Sequence, residues 1–238
     1  MFSNLDKTQK YTLTLAIAAV AGLWGLGYAI HGGLYNLRGA ADRYVTVRGL
    51  AERDLPANLA LWPVRFTVAA DTLEGLQAEL EADQRTIGQY LIKAGFKAAE
   101  ISTNLPAITD KEAGWSENRQ GPRYFAEGTV VLRTADVARV QTTVEKIGDL
   151  VKQGVALSSN WGLEYFYTDL ETIKPEMIAE ATQDARRAAE KFADDSGSSV
   201  GNIRNAQQGL FSIEAKDQFA QDTKRVRVVT TVQYYLTD

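Results

Sequence analysis

Cysteine is absent from the 238-residue chain and histidine occurs once, as His31. The first absence excludes disulfides, thiolate metal sites and a thiol nucleophile. The second removes a Ser-His-Asp triad, a histidine zinc site and a histidine general base from everything beyond residue 31. Charge of one sign is also lacking. Lys and Arg total 26 against 30 Asp and Glu, a formal net charge of -4 with both signs interspersed, which gives no electrostatic basis for binding nucleic acid. Any enzyme built on this chain would have to run on carboxylates, lysine or tyrosine, and no cofactor or metal is expected.

One long hydrophobic run is present. Residues 11–30, YTLTLAIAAVAGLWGLGYAI, lie in a stretch free of Asp, Glu, Lys and Arg between Lys10 and Arg38. About 20 apolar residues at about 1.5 Å of helical rise each cross a hydrocarbon layer of about 30 Å. The run is long for a cleaved leader, although Gly27-Tyr28-Ala29 has the small-x-small form of a cleavage site. A retained anchor is the expectation. A buried helix of a soluble protein fits less well, because Trp24 and Leu26 leave no polar face. The division expected is a tail at 1–10, a transmembrane signal-anchor helix at 11–31, a connector at 32–43 and one folded domain at 44–238.

Lys7 and Lys10 precede the run and Arg38, Arg43 and Arg48 follow it, so local charge assigns no cytoplasmic side. In a bacterial signal-anchor protein the large C-terminal part is exported. The expected location is therefore the bacterial inner membrane, single-pass, with the domain in the periplasm. Ala18 with Gly22 and Ala21 with Gly25 are small pairs four apart, a spacing that lets helices approach closely in lipid. His31 at the end of the run is read as interfacial. Gly22, Gly25 and Gly27 are not a phosphate loop, since no strand precedes them.

The domain alternates strand and helix patterns. Residues 44–53 and 59–69 read as strands around a turn at Pro56 and Asn58; Trp62, Val64, Phe66 and Val68 share a face, and Pro63 marks an edge or a bulge. Asp71 and Glu74 have N-cap spacing before a helix carrying Leu73, Leu76, Leu80, Ile87, Leu91 and Ala94, closed by Gly95, with Glu79, Glu81, Asp83 and Arg85 solvated. Residues 100–108 and 123–133 read as strands joined by a polar hairpin tip. Its Trp115, Glu117 and Arg119 are candidate partner contacts. Thr134 or Asp136 caps a second helix through Val151 to Gly154, and a strand at 155–167 carries Trp161, Tyr165, Phe166 and Tyr167, read as sheet packing or a ligand platform. A third helix opens at Pro175 and bears an alanine stripe as far as Ser196-Gly197. Strands at 200–211 and 223–236 follow, the last with Val226, Val228, Thr230, Val232 and Tyr234 on one face. The order predicts a layered α+β domain with mostly antiparallel strands and three helices, behind an N-terminal transmembrane helix.

VTVRGLAER at 45–53, AGFKAAEISTNLPAI at 94–108, the second helix leading into 157–169, and the alanine-rich helix followed by Gly197 and SSVGNI at 198–203 together resemble the SIMPL-domain family, also called DUF541. The resemblance covers 44 to the C-terminus. It implies an exported or envelope-anchored α+β domain, with some bacterial relatives forming hollow ring-like oligomers and some linked to defence against oxidative stress. It implies no agreed catalytic residues. GLAERDLPANLALWP at 49–63 departs from the more acidic, glycine-rich strand pair common in relatives.

Two functions from different classes follow as expectations. One is a non-enzymatic, membrane-anchored homo-oligomer whose SIMPL-like domain assembles into a ring or hollow particle in the envelope. The other is a ligand-binding or adaptor module that passes a stress signal to an envelope protein partner through the Trp115 loop or 207–224. A carboxylate hydrolase using Asp194 and Asp195 is a third reading, and adjacent acids before a glycine fit a helix end better.

Overall fold

A computed structural model describes residues 20, 22–25, 43–113, 121–158 and 162–237. Among them no helix is long and apolar enough to cross a membrane. The expected anchor at 11–31 lies outside the described residues except for Val20 and 22–25, which are helical and exposed, Trp24 to 80%.

The domain is α+β, with strands in two sheets. In chain order the strands are β1 (Tyr44–Pro56), β2 (Leu59–Ala70), β3 (Ile101–Thr103), β4 (Ala107–Asp110), β5 (Tyr124–Thr134), β6 (Glu164–Phe166), β7 (Ser199–Gln208), β8 (Ser212–Ala215) and β9 (Thr223–Thr237). The helices are α1 (Leu73–Lys93), α2 (Val137–Val144), α3 (Gly148–Lys152) and α4 (Leu170–Asp195), with a 3-10 turn at Ala98–Glu100. Contacts divide the chain into a larger unit, Arg48–Arg186 with Gln207–Thr231, and a smaller one formed by the described parts of Met1–Val47, Arg187–Ala206 and Val232–Asp238.

In the larger unit one sheet has the order β3-β5-β2-β6, with β4 also on β5. Its spine is the antiparallel β2–β5 ladder, from Ala60 opposite Thr134 to Ala70 opposite Tyr124. The even-numbered side chains Trp62, Val64, Phe66 and Val68 are buried, as the period-two pattern predicts. They meet Leu76, Leu80, Ile87 and Leu91 of α1, and Val140, Ile147 and Leu150 complete the cluster. β1 and β2, adjacent in sequence, belong to different sheets, so the chain crosses between sheets at Ala57 and Asn58. The Asn58 carboxamide oxygen fixes that crossing by accepting from the Thr168 amide at 2.9 Å.

The other sheet places β9 beside β1 and β8 in the larger unit, and beside β1 and β7 in the smaller one. In the larger unit α4 lies on it through Met177, Ala181 and Ala185, all fully buried with Val226 and Val228. Alanine every fourth residue leaves a flat strip on the helix, and Gly49 supplies the matching gap in β1. A Cβ at Gly49 would lie 1.9 Å from the Ala181 carbonyl oxygen and 2.3 Å from the Ala185 amide nitrogen. Ala189 and Ala193 continue the buried strip in the smaller unit, where Val232 and Tyr234 are also buried.

Several expectations are corrected. The second helix breaks into α2 and α3 at Glu145–Ile147, so the described residues of the domain hold four α-helices instead of three. Of the two caps offered for the second helix, Asp136 is the one used: its carboxylate accepts from the Arg139 amide, while Thr134, two residues earlier, donates its hydroxyl to the Glu100 carboxylate at 2.7 Å and accepts from the Asp136 amide at 3.1 Å. The first helix is capped one residue late, by the Thr72 hydroxyl; Leu73 is 53% exposed and the Asp71 carboxylate accepts from the Arg123 amide instead. Asp83 is half-buried, and burial followed by the nearby Glu79 charge pushes its carboxyl up. β2 is an interior strand. Pro63 falls where pairing toward β6 is interrupted, between Leu61 and the lone Phe66–Leu157 bridge, so no ladder bond is lost there. The strand at 100–108 divides around Asn104, Leu105 and Pro106, three residues facing two of β5, a bulge that leaves Leu105 98% exposed. The strand at 155–167 reduces to that bridge and β6. α4 begins at Leu170, not Pro175, and Phe192 on its predicted apolar side is 52% exposed. Gly95 does adopt a positive φ of 98°, the left-handed closure expected for α1.

Across the outer side of β1, Asp54 pairs with Arg225 at 2.9 Å and Lys216 at 3.0 Å, and Glu52 also meets Arg225. The Arg225 hydrogen bonds, then those of Lys216, hold the Asp54 carboxyl down to about 2 from an ordinary 3.8. A lowered carboxyl stabilises the fold above its unfolded value and ceases to do so as pH falls through the folded one. Asp54→Asn is therefore expected to be less stable than the parent at pH 6, with the gap closing between about pH 4 and pH 2. Thermal melts at several pH values check this, and a gap that persists at pH 2 would assign the effect to something other than ionisation.

Candidate functional site

Trp115, Glu117 and Arg119 lie outside the described residues. The base of their loop is described: Asp110 pairs with Tyr124 in the antiparallel β4–β5 ladder. Arg123 clamps that base, reaching Asp110 at 2.9 Å and Glu112 at 2.9 Å, with its guanidinium 4.9 Å from the Tyr124 ring centre. The Asp110 carboxyl is held low, first by Arg123 and then by the Glu112 amide.

Of the small pairs in the hydrophobic run, Ala18 and Ala21 lie outside the described residues. Gly22 and Gly25 are helical, and a Cβ on either would meet open space.

Trp161 is likewise outside the described residues, but its neighbours meet a segment that no sequence pattern places beside them. Residues 163–167 form one wall of a cleft of about 710 Å³, and Ile213, Ala215 and Lys224 form another. Tyr165 packs on the α1 core and Tyr167 on the α4 core, so the cleft lies where the two clusters adjoin. The Tyr165 hydroxyl is pushed up, by burial first and then by Asp222, while Gln141 bonds it and also donates to Asp222 at 2.8 Å. The aromatic segment was visible in the sequence. Its juxtaposition with β8 was not, because 213 and 165 are brought together only by the sheets.

β7 is the second feature. It ends its sheet, and from residue 202 onward every side chain is exposed, Ile203 to 51%. In the smaller unit the Arg204 guanidinium lies over the Tyr44 ring, 4.1 Å from its centre. β1, at the other end of the sheet, is treated differently: the Asp184 carboxylate accepts from the Leu50 amide at 3.0 Å, and Arg53 binds Glu176 and Glu180 of α4.

Asp194 and Asp195 sit exposed in the last turn of α4, and Asp195 pairs with Lys191 at 2.7 Å. They do not converge in a buried pocket, which is the helix-end reading. No group of three or more His, Cys, Asp or Glu capable of holding a metal occurs among the described residues.

The two-sheet α+β architecture defines the class to which this domain belongs. Residues 45–234 match the SIMPL family model, described as a protein of unknown function (DUF541). The chain therefore belongs to the SIMPL family, as its motifs suggested. No curated protein matches it.

Proposed function

We propose that the chain is a non-enzymatic assembly protein of the bacterial envelope. Its helix at 11–31 holds it in the inner membrane, and its SIMPL domain self-associates on the periplasmic side through the edge of β7. The exposure of β7 carries this reading. A strand that ends a sheet presents a row of main-chain donors and acceptors, and natural proteins usually blunt or cover such edges. β1 has the Asp184 carboxylate on its main chain, whereas the side chains of β7 beyond Gly201 are exposed. Pairing with a second copy covers β7, and a head-to-tail contact that closes its rotation gives a ring. The lack of cysteine and of any histidine within the domain supports a role without catalysis. A contribution to oxidative-stress defence rests on the family resemblance. The apolar run, with Trp24 exposed on a helix, supports the membrane location.

Light scattering on the full chain in mild detergent tests the assembly. The expected mass is a multiple of 26.1 kDa, reduced by Ile203→Lys, a substitution at an exposed position that leaves the fold intact. A strictly monomeric parent overturns the reading. An oligomer that survives Ile203→Lys and is lost in Gly22→Leu with Gly25→Leu would transfer association to the membrane helices.

A further inference from the structure

We infer that the cleft between β6 and β8 receives an extended peptide, which adds a strand to the edge of β6. This goes beyond self-association through β7 and is independent of it. Residues 163–167 all line the cleft, and three of them are the whole of β6. Consecutive residues of a strand point to opposite faces of its sheet. A cavity bordered by every residue of a strand therefore runs along its edge, where the main-chain N–H and C=O groups lie. β6 ends the order β3-β5-β2-β6, so this edge has no strand beside it among the described residues.

The opposite wall is of another kind. Ile213 and Ala215 are two apart on β8, and Lys224 stands opposite Ala215 in the β8–β9 register. These three side chains thus belong to one face of a two-stranded ribbon. A strand edge facing a ribbon face accommodates one extended segment: its main chain bonds to β6 and alternate side chains turn toward the ribbon.

That row has a defined chemistry. Ile213 calls for an apolar residue and Lys224, two places along, for an acid. Among the described residues Lys224 makes no ion pair. Asp217, which also lines the cleft, is committed elsewhere: its carboxylate accepts from the Phe219 and Ala220 amides at 2.8 Å each. Glu164 on the β6 side disfavours a second acid on the segment's other face. The volume lies within the roughly 300–1,000 Å³ usual for ligand sites. The ligand class is an extended segment of alternating apolar residues with one acid on the ribbon side.

The full chain in mild detergent would be panned against a random-dodecapeptide display library, and enriched sequences synthesised with fluorescein and titrated. Enrichment of alternating apolar sequences carrying one acid is expected. Binding should weaken about tenfold with Lys224→Met, recover with Lys224→Arg, and weaken by at least as much when alternate peptide amides are N-methylated. The N-methylation arm needs no protein variant and stands whether or not Lys224→Met folds. Absence of enrichment, or binding indifferent to N-methylation, overturns the inference. Lys224-dependent binding of dodecanoate with no peptide selected would assign the cleft to a small carboxylate and overturn it equally. A particle mass that changes with Lys224→Met and no peptide selected would assign it to a second copy of the chain.

Discussion

Gly49→Ala is expected to destabilise the larger unit by about 3 kcal/mol, at the upper end for overpacking. Elsewhere in a strand, alanine in place of glycine is favourable, because glycine loses more conformational freedom on folding. The contact decides the sign here. The added Cβ would lie 1.9 Å from the Ala181 oxygen and 2.3 Å from the Ala185 nitrogen, and both are helix backbone, which no rotamer change relieves. α4 must rise off β1, loosening Met177, Ala181 and Ala185 and pulling Asp184 from the Leu50 amide. Gly88→Ala is the control. Gly88 lies in α1 with nothing within 4 Å of its added Cβ, and a gain of about 0.5–1 kcal/mol is expected. Thermal or urea unfolding measures both. An unchanged midpoint for Gly49→Ala would mean the helix does not rest on that glycine.

Phe66→Ala is expected to cost about 3–5 kcal/mol, the range for emptying a buried phenylalanine site. At about 2–4 °C per kcal/mol for a domain of this size, the midpoint falls by roughly 6–20 °C. Phe66 is fully buried and stands opposite Gly128 in the β2–β5 ladder, with its ring over that glycine: a Cβ there would lie 2.3 Å from the ring Cζ. Gly128→Ala alone should cost about 1–3 kcal/mol by forcing the ring aside. Combined with Phe66→Ala the new methyl enters space the ring has vacated, so the double variant should be less destabilised than the two single costs summed, by about 0.5–3 kcal/mol. Strict additivity in a double-mutant cycle would show that ring and glycine do not share that space.

Legibility followed the range of the interaction. The buried face of β9, from Val226 to Tyr234, and that of β2, from Trp62 to Val68, were read from alternation alone, because a two-residue period is written in the chain itself. The alanine strip of α4 was readable for the same reason. Misreadings fell where a local signal had a distant competitor. Asp71 looks like the N-cap of α1, but its carboxylate accepts from the distant Arg123 amide and Thr72 caps the helix. Pro63 signals an edge or a bulge, yet it occupies a gap in the pairing of an interior strand. Pro175 looks like a helix start, while the helix begins a turn earlier at Leu170. Of the candidate surfaces, the aromatic segment and 207–224 each stood out in the sequence, and neither pointed to the other.

By itself the sequence determined the family, the α+β class, the faces of the long strands, and the lack of thiol and imidazole chemistry in the domain. Each depends on residue identity or on spacing within one element. Only the tertiary structure decided which strands share a sheet, that β7 ends its sheet among the described residues, and that β6 and β8 enclose a cleft. Strand partners are set by burying faces that lie far apart along the chain, and no local pattern records which face meets which.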